Sequence, residues 1–569
     1  MGKRYEHVIP EIKDWPIARL LSNDRSNFIS KINEEVVKIL MDRYGDNLHE
    51  LLTKTAYCEL IRVREEPWKV DPPNEKQFWK KIQKKIIKNE KKEEKLEQAS
   101  NQKLLQTIVN RYSEEIVATF KEKTFLFSRK FLTAFFNRLL NTAAGRNFER
   151  IFSNKHKLED RLLLKGEIEK VRSLMKKGTV ILLPTHHSNL DSILIGYIID
   201  TFGGLPLFSY GAGLNLYNTG YTAYFMNRLG AYRVDRRKKN PIYLQTLKTM
   251  NVLAIERGVN TLFFPGGTRS RSGALETKFK LGLMGTATEA QRKIYQKGED
   301  RKVFVVPLVT SYNFVLEANY LIQQHLKQVG KEKYLKTKDA FHSSRKQMKF
   351  LWDFFSASNE ITMAFGKPMD VIGNFVDENG ISYDQSGRVV EVKDYFMRDG
   401  EITVNPQREQ EYTRHLGERV KSRFYADNIV LASHLVAYSA FKILQNSFPE
   451  LDIYELLRQP TDDYIFPMDE MELVVNTLKN RLLVMEENDK VKVSDSIRKK
   501  SPKEIIEEGV LKMGTYHPTK PIMFDKKGNL ISQRFRTLYF YHNRLENYGL
   551  ENYVKLAETP EKKKFETIN

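Results

Sequence analysis

Cysteine is almost absent from this 569-residue sequence, which contains only Cys58. A single thiol excludes an intramolecular disulfide bond and a metal centre built from several cysteine ligands. Long apolar runs are also absent: no stretch of about 18 or more apolar residues occurs, so the sequence predicts no transmembrane helix. The first residues, MGKRYEHVIPEIKDWP, lack the apolar segment of a signal peptide. These absences predict a protein that is soluble or lies on a membrane surface.

Acidic residues are scarce relative to basic ones. The 93 lysines and arginines outnumber the 72 aspartates and glutamates, which gives a net charge of +21. An excess of this size favours polyanionic partners, namely nucleic acid, an anionic membrane surface or phosphorylated substrates, but it does not choose among them. With 41% hydrophobic and 11% aromatic residues, the chain can bury a large core, which argues against wholesale disorder.

The pattern of apolar residues divides the chain into four regions. Residues 1–120 predict a helical, strongly charged N-terminal region, and residues 405–569 predict a helical C-terminal region. Apolar runs of strand length alternate with helical segments in residues 121–375, which predicts an α/β domain with a central mixed, largely parallel sheet flanked by helices. The turn sequences DENG and DQSG predict a hairpin insertion at residues 376–404. The predicted strands are residues 180–183, 205–209, 231–234, 260–264, 303–309 and 360–365.

An aromatic segment at residues 124–140, TFLFSRKFLTAFFNRLL, has helical periodicity. Its large apolar side chains recur every four residues and basic side chains flank them; these are Phe127, Phe131, Phe135 and Leu139, with Arg129, Lys130 and Arg138. Such a stripe is more often part of a hydrophobic core than a membrane anchor. The flanking positive charge leaves open the alternative that this helix lies at a membrane interface.

Two histidines and an aspartate follow the first predicted strand directly, in the sequence LPTHHSNLDS at residues 183–192. If the loop curls back, Asp191 can accept a hydrogen bond from one ring nitrogen of His186, and the other nitrogen can then accept a proton from a substrate. His187 is adjacent and is expected to point elsewhere. Alone, this pair also fits a structural histidine. The spacing differs from the His-x3-His of a helical zinc site, so no metal is expected.

Three further polar clusters each follow a predicted strand. RLGAYRVDRR at residues 228–237 places Arg236 after one strand, and LFFPGGTRSRSG at residues 262–273 places Arg269 and Arg271 after another. Lys278 adds charge just beyond this glycine-rich loop. Glycines let backbone N–H groups approach an anion, and arginines bind phosphate through forked hydrogen bonds. With the strand VVPLVTSY at residues 305–312, all four clusters are expected at the same edge of one sheet.

This ordered set of motifs resembles the glycerolipid acyltransferase superfamily, whose members transfer fatty acyl groups to glycerol phosphates. The His-x4-Asp pair, GAYRVDR, the FPxGTRSRSG loop and the Val-Pro strand occur in the family's order and at similar spacings, over residues 160–370. The sequence NFVLEANYLIQQHLKQVGKEKY, after Tyr312, resembles the branch that acylates glycerol-3-phosphate. The long N- and C-terminal extensions are similar to that branch as well.

The resemblance implies a role for each residue. His186 is the expected general base, and Asp191 fixes its tautomer. Gly266 and Gly267 are expected either to supply a backbone N–H group to the oxyanion or to shape the loop backbone. The acceptor phosphate is expected at four basic residues, which are Arg236, Arg269, Arg271 and Lys278. No metal or cofactor is implied, only an acyl-CoA or acyl carrier protein thioester as co-substrate.

One departure from the family pattern concerns position 266. The family usually has a glutamate between the proline and the glycine of the third motif, whereas this sequence has Gly266. The missing carboxylate leaves open a different acceptor or support from another acid such as Glu276. Because His186 and Asp191 are both present, an enzyme is expected rather than an inactive relative.

The expected function is therefore transfer of a fatty acyl group to the sn-1 hydroxyl of glycerol-3-phosphate, in phospholipid synthesis. Acylation of 1-acylglycerol-3-phosphate, dihydroxyacetone phosphate or another lipid acceptor is the alternative within enzymes. Alternatives of another class are a non-catalytic membrane scaffold and a nucleic-acid-binding protein. The latter is suggested by the charge alone, and the sequence contains no recognised nucleic-acid-binding module, so no nucleic acid is expected. The expected location is the cytoplasmic face of a membrane, with peripheral association through the anionic surface.

Overall fold

The structure is a computed structural model, and it describes residues 3–90, 93–143, 162–188, 191–217, 220–329, 360–461, 464–513 and 517–554. Its centre is a seven-stranded mixed sheet with the order β1-β7-β6-β2-β5-β3-β4. The strands of this sheet are β1 Leu162–Gly166, β2 Gly178–Pro184, β3 Ser209–Gly213, β4 Ala231–Val234, β5 Thr261–Leu262, β6 Lys302–Tyr312 and β7 Ile361–Phe365.

Five of the seven strands run in the same direction. β6, β2, β5, β3 and β4 pair in parallel in that order, whereas β7 is antiparallel to β6, and β1 is parallel to β7. Parallel strands present their carboxyl ends at one edge of a sheet. The segments that follow β2, β4, β5 and β6 therefore meet at a common edge. The predicted fold class, a largely parallel mixed sheet flanked by helices, is confirmed.

Helices cover both faces of this sheet and form most of the two terminal regions. The helices are α1 Pro16–Ala18, α2 Arg25–Tyr44, α3 Leu48–Glu65, α4 Glu75–Asn89, α5 Glu94–Ile116, α6 Glu122–Ala143, α7 Ile168–Leu174, α8 Asp191–Thr201, α9 Gly220–Met226, α10 Pro241–Glu256, α11 Leu281–Gln296, α12 Ala318–Val329, α13 Pro406–Ala426, α14 Ala432–Ser447, α15 Ile453–Leu456, α16 Met468–Glu487, α17 Asp495–Lys499, α18 Pro502–Lys512 and α19 Phe535–His542.

The central strands are buried on both faces, so their apolar residues alternate between two cores. Val180 and Leu182 of β2 belong to a core that α8, α12 and the C-terminal helices α14 and α19 share. Ile181 and Leu183 belong to the opposite core, with α10, α11 and α13. A third core joins the N-terminal helices α2 to α5 to α10 and to β4. Both terminal regions thus pack directly on the α/β domain.

Short strands complete the structure. These are β8 Phe375–Val376, β9 Ser382–Tyr383, β10 Val389–Val390, β11 Met397–Arg398, β12 Glu401–Ile402, β13 Ile429–Val430, β14 Ile465–Phe466, β15 Lys492–Val493, β16 Met523–Phe524 and β17 Leu530–Ile531. Antiparallel pairing joins β8 to β9 and β9 to β10 across the DENG and DQSG turns, as the turn sequences predict. Each of these turns has a left-handed glycine, Gly380 at φ 83° and Gly387 at φ 77°.

Two strand predictions differ from the structure. The predicted strand at residues 205–209 is wrong except for its last residue, because β3 begins at Ser209 and the buried run Leu205–Phe208 only leads into it. β1 was not among the predicted strands: only Leu162 of its five residues is buried, and it pairs with β7 alone at the edge of the sheet. Among the residues that the structure describes, no helix is long and apolar enough to cross a membrane.

Candidate active site

His186 and Asp191 form a hydrogen-bonded pair beyond the end of β2. The Asp191 Oδ2 atom lies 2.8 Å from the His186 Nδ1 atom. A carboxylate at this nitrogen favours the tautomer in which Nδ1 carries the proton, so the Nε2 atom presents a lone pair. The His186 side chain is 18% exposed and its ring stacks on Phe264, with 4.0 Å between ring centroids. The ring is therefore fixed in orientation while remaining accessible.

The Asp191 carboxylate is fully buried and accepts several hydrogen bonds besides the one from His186. Its Oδ2 atom accepts from the backbone N–H groups of His187 at 2.7 Å and Ser188 at 2.9 Å. Its Oδ1 atom accepts from the Tyr312 hydroxyl at 2.5 Å. Donors on both oxygens satisfy the buried carboxylate and hold it in a single orientation. Tyr312 ends β6, so two adjacent strands fix the pair.

The backbone of His186 is held from both sides. Its N–H group donates to the Glu276 Oε1 atom at 2.7 Å, and its carbonyl oxygen accepts from the Ser270 N–H group at 2.7 Å. Both partners belong to the glycine-rich loop after β5. The loops after β2 and β5 are therefore fastened to each other at the candidate base.

His187 has a different environment from its neighbour. The ring is buried and its Nε2 atom accepts a hydrogen bond from the buried Arg544 guanidinium. Burial, and then the positive charge of Arg544, lowers the pKa of His187 well below its usual range. A histidine that stays neutral and already accepts a protein hydrogen bond is poorly suited to accept a substrate proton. The structure thus separates the two histidines as the spacing predicts.

The predicted arginines lie at the same edge of the sheet. Burial, followed by the charges of Arg269 and Arg271, lowers the pKa of Arg236, because like charges nearby disfavour protonation. The Arg269 guanidinium donates to the buried Glu317 carboxylate at 3.4 Å, and the Arg271 guanidinium donates to the Gln328 side chain. Three mutually repelling guanidinium groups beside one carboxylate form a site that favours an added anion.

The structure places the remaining predicted residues less centrally. Lys278 is exposed, whereas the Lys280 side chain lies over Gly267, where a Cβ atom would meet Lys280 Cδ at 2.7 Å. Gly267 has a left-handed backbone (φ 71°), and its N–H group donates to the Phe264 carbonyl oxygen at 2.9 Å. In this conformation the Gly267 N–H group closes a turn, which is the loop-backbone role among the two that the sequence leaves open.

Several residues of the site were not assigned a role from the sequence. Glu317 accepts from Ser188 Oγ at 3.1 Å as well as from Arg269, and so links the first and third motifs. Arg544, from the C-terminal region, donates to the Thr310 carbonyl oxygen at 2.8 Å and to Asn428 Oδ1 at 2.9 Å. Glu317 lies within the quoted NFVLEANY sequence, which is a usable signal. Arg544 lies 357 residues beyond His187, and no local pattern marks it.

The described residues contain no group of three or more histidine, cysteine, aspartate or glutamate side chains arranged to hold a metal ion. A small cavity lies beside His187. It is lined by His187, Gly273, Tyr312, Val315, His434, Phe540, Tyr541 and Arg544. This cavity lies between β6 and the C-terminal region and shares Tyr312 with the Asp191 network.

Comparison with protein families identifies part of the sheet domain. Residues 165–311 match the family model described as Acyltransferase. These residues form an acyltransferase domain. The domain includes His186, Asp191 and the arginines Arg236, Arg269 and Arg271. The predicted resemblance to the glycerolipid acyltransferase superfamily, based on four motifs, is confirmed for residues 165–311.

Two curated relatives of the acyltransferase domain carry the same name. The chain is 33% identical over 167 residues to the glycerol-3-phosphate acyltransferase of Aeromonas hydrophila subsp. hydrophila, a match that covers 29% of this chain and 20% of that relative. It is 25% identical over 369 residues to the glycerol-3-phosphate acyltransferase of Shewanella denitrificans, which covers 62% of this chain and 40% of that relative. The chain therefore spans 20% to 40% of the length of these relatives.

Proposed function

We propose that this protein transfers a fatty acyl group from a thioester donor, acyl-CoA or acyl carrier protein, to the sn-1 hydroxyl of glycerol-3-phosphate. The observation that carries the proposal is the His186–Asp191 pair, joined at 2.8 Å at the same sheet edge as Arg236, Arg269 and Arg271. A base and an anion site at one edge fit an acceptor that has both a hydroxyl and a phosphate. The names of the relatives support the same acceptor.

In the proposed reaction, the acceptor hydroxyl oxygen attacks the thioester carbonyl carbon while its proton passes to the His186 Nε2 atom. Asp191 stabilises the imidazolium that forms. The tetrahedral intermediate then collapses: the C–S bond breaks, the new ester C–O bond remains, and the thiolate receives the proton from His186. General-base assistance of this kind contributes about 10²–10⁴-fold to the rate.

The proposal includes peripheral association with an anionic membrane surface. Phe127 and Phe131 on α6 are 58% and 52% exposed, and the Phe127 ring stacks on Phe225 of α9. Lys123 and Lys130 are exposed on the same helix. Exposed aromatic side chains beside lysines suit the boundary between lipid headgroups and acyl chains. The side chains of Phe135 and Leu139, which complete the predicted stripe, lie outside the described residues.

The decisive experiment is product identification with the purified full chain. Each donor, acyl-CoA or acyl carrier protein thioester, is combined with glycerol-3-phosphate, 1-acylglycerol-3-phosphate or dihydroxyacetone phosphate, and the lipid products are identified by mass spectrometry. We expect 1-acylglycerol-3-phosphate from glycerol-3-phosphate. A product formed only from one of the other acceptors would replace the proposed acceptor, and the absence of any acylated product would refute the proposal.

Substitution of the two histidines tests the assignment of the base. His186→Ala is expected to lower kcat by about 10²–10⁴-fold, because no other group accepts the hydroxyl proton. Asp191→Asn is expected to cause a heavy loss too, since an amide does not stabilise an imidazolium. His187→Ala is the matched control: it leaves Arg544 without one acceptor and lowers stability by about 1–3 kcal/mol, while most activity remains. Steady-state kinetics and thermal unfolding of all three variants decide the matter, and an active His186→Ala protein would contradict the assignment.

A further inference from the structure

Gly266 has no conformational need to be a glycine. Its backbone is not left-handed, unlike that of Gly267 (φ 71°). A Cβ atom at position 266 would lie 3.0 Å from Glu276 Cγ, and its next contact would be the Thr268 carbonyl oxygen at 3.6 Å. The one close neighbour is therefore the Glu276 side chain. A side chain at position 266 would therefore crowd the side chain of residue 276.

Glu276 reaches the candidate base from beside Gly266. The residue is buried, and its Oε1 atom accepts the His186 N–H group at 2.7 Å. Its buried Oε2 atom has no hydrogen-bond partner in any other described residue. Burial raises the pKa of Glu276 to about 7, although the His186 N–H group acts in the opposite direction. A buried carboxyl group with only one oxygen satisfied costs stability, so its position calls for a functional reason.

We propose that Glu276 is a positioning residue for His186, and that it supplies from the far end of the glycine-rich loop the carboxylate that position 266 lacks. The inference rests on the proposed function, since it assigns Glu276 to the base of that reaction. The two positions compete for space, because a side chain at position 266 would require the Glu276 side chain to shift.

Three restraints together define where the His186 ring lies. Asp191 fixes the ring, the Ser270 N–H group fixes the carbonyl oxygen, and Glu276 fixes the N–H group. Losing one backbone restraint lets the ring move relative to the attacking hydroxyl, and small misplacements of a base are costly to the rate. Two of the arginines that are proposed to bind the phosphate, Arg269 and Arg271, are held by other residues, Glu317 and Gln328. Removal of Glu276 therefore affects kcat more than the acceptor KM.

The test relocates the carboxylate. Glu276→Ala is expected to lower kcat by roughly 10- to 100-fold, with a change in acceptor KM of less than about threefold. Glu276→Gln is expected to lose less than about tenfold, because its amide oxygen can still accept the His186 N–H group. The double variant Gly266→Glu/Glu276→Ala is expected to recover at least about tenfold of the loss, whereas the matched control Gly266→Ala/Glu276→Ala adds a side chain without a carboxylate and recovers none. Thermal unfolding of every variant separates lost positioning from lost folding.

A second measurement is independent of catalysis. Hydrogen exchange of the peptide that contains His186 is expected to accelerate in Glu276→Ala and to slow again in Gly266→Glu/Glu276→Ala, because the His186 N–H group regains an acceptor. If wild-type protein acylates no acceptor, the proposed function fails. The exchange measurement still tests the contact between Glu276 and the His186 N–H group, because it does not depend on activity. Unchanged exchange in Glu276→Ala, or equal rescue by Gly266→Ala and Gly266→Glu, would overturn the positioning role.

Discussion

Adjacent arginines at the end of β4 serve different purposes. Arg237 donates to Asp235 Oδ1 at 2.9 Å and to the Glu66 carbonyl oxygen at 2.6 Å, and it also pairs with Asp71. Arg236 donates no hydrogen bond to any described residue, and the charges of Arg269 and Arg271 reach it. A guanidinium group whose donors are all used holds a loop in place, whereas one with unused donors beside like charges is poised for an anion.

Arg269 provides the sharpest test of the phosphate site. Arg269→Lys keeps the charge but removes the planar, forked set of donors, so it is not a conservative change. The loss of one charge-assisted hydrogen bond costs about 1.5–3 kcal/mol, which corresponds to roughly ten- to a hundredfold in kcat/KM for the acceptor. The KM of the acyl donor is expected to change little. Steady-state kinetics with each substrate varied in turn measures both effects, and a weakened donor with an unchanged acceptor would assign this loop to the phosphates of the donor.

At the scale of elements, the N-terminal helices hold the segment after β4. The Lys238 side chain is 0% exposed and pairs with Glu115 of α5 at 2.5 Å. The Asn240 amide donates to Glu59 of α3 at 2.8 Å. Together with the pairing of Arg237 and Asp71, these contacts fix the residues that follow Arg236 in the chain. The N-terminal region therefore acts as a support for one wall of the proposed phosphate site.

Glu115→Gln tests this support. The substitution leaves the Lys238 ammonium group buried with its nearest carboxylate removed, and breaking a buried pair costs about 3–5 kcal/mol. We expect denaturant unfolding to show that loss and the acceptor KM to rise, because Arg236 is two residues from Lys238. Glu34→Gln is the control, since the exposed pair of Lys31 and Glu34 contributes about 0–1 kcal/mol. A stable Glu115→Gln protein with an unchanged acceptor KM would contradict the supporting role.

Element prediction from the sequence succeeded where burial and pairing coincide. β2 and β6 are buried apolar runs at the centre of the sheet, and the sequence predicts them to within a few residues. β3 is different, because its sequence SYGAG is poor in apolar side chains. Gly211 lets the Tyr232 ring approach so closely that a Cβ atom would lie 3.0 Å from it. Apolar composition indicates which residues are buried, but it does not indicate which residues form the backbone hydrogen bonds of the sheet.

In the candidate site, residues within one motif were predictable from the sequence, whereas residues brought together by packing were not. Residues within one motif, such as His186 and Asp191, were predictable because four intervening residues limit where the chain can place them. Glu276 was named only as one possible acid, since the sequence does not show that its side chain fills the space beside Gly266. Arg544 was unpredictable, because only the packing of the C-terminal region against β6 brings it to His187.

At the scale of the whole molecule, buried histidines link stability to pH. His434 lies between the C-terminal region and β6; its Nε2 atom lies 3.0 Å from the Tyr312 carbonyl oxygen, and its Nδ1 atom accepts from the Leu431 N–H group at 3.3 Å. A second ring proton would face that N–H group. Burial, and then the charge of Arg544, lowers the pKa of His434 to about 3. Below about pH 6.5 the unfolded chain binds a proton here and the folded chain does not, so stability falls as pH falls.

His434→Gln removes this titration. One pH unit below the pKa of a histidine in the unfolded chain, protonation of that histidine lowers the unfolding free energy by about 1.4 kcal/mol. The loss of unfolding free energy between pH 7.5 and pH 5.5 (about two pH units) is therefore expected to be smaller by about 1.4 kcal/mol in His434→Gln than in wild type. Ser433→Ala, a substitution of the buried neighbour that does not titrate, is expected to leave the pH dependence unchanged. Urea unfolding at both pH values measures this, and an unchanged pH dependence in His434→Gln would show that the ring is not neutral in the folded chain.

The proposed membrane association involves the surface of the whole molecule, because a net charge of +21 favours an anionic bilayer, into which the exposed aromatic side chains of α6 are expected to insert. Phe127 and Phe131 are about half exposed, so seating both in the interface contributes about 2–3 kcal/mol, and Phe127→Ser/Phe131→Ser is expected to weaken vesicle partitioning by roughly 30- to 150-fold.

The control for this prediction is Tyr57→Ser/Leu96→Ser, which removes two side chains that are 63% and 59% exposed on the N-terminal helices instead. Sedimentation with vesicles of anionic and neutral phospholipid is the measurement, and high salt or alkaline carbonate is expected to release the wild-type protein. Equal binding by wild type and Phe127→Ser/Phe131→Ser would place the contact elsewhere on the basic surface. Release by detergent alone would mean that a segment of the chain inserts more deeply than two aromatic side chains reach, because charge attraction at a surface is screened by salt whereas apolar insertion is not.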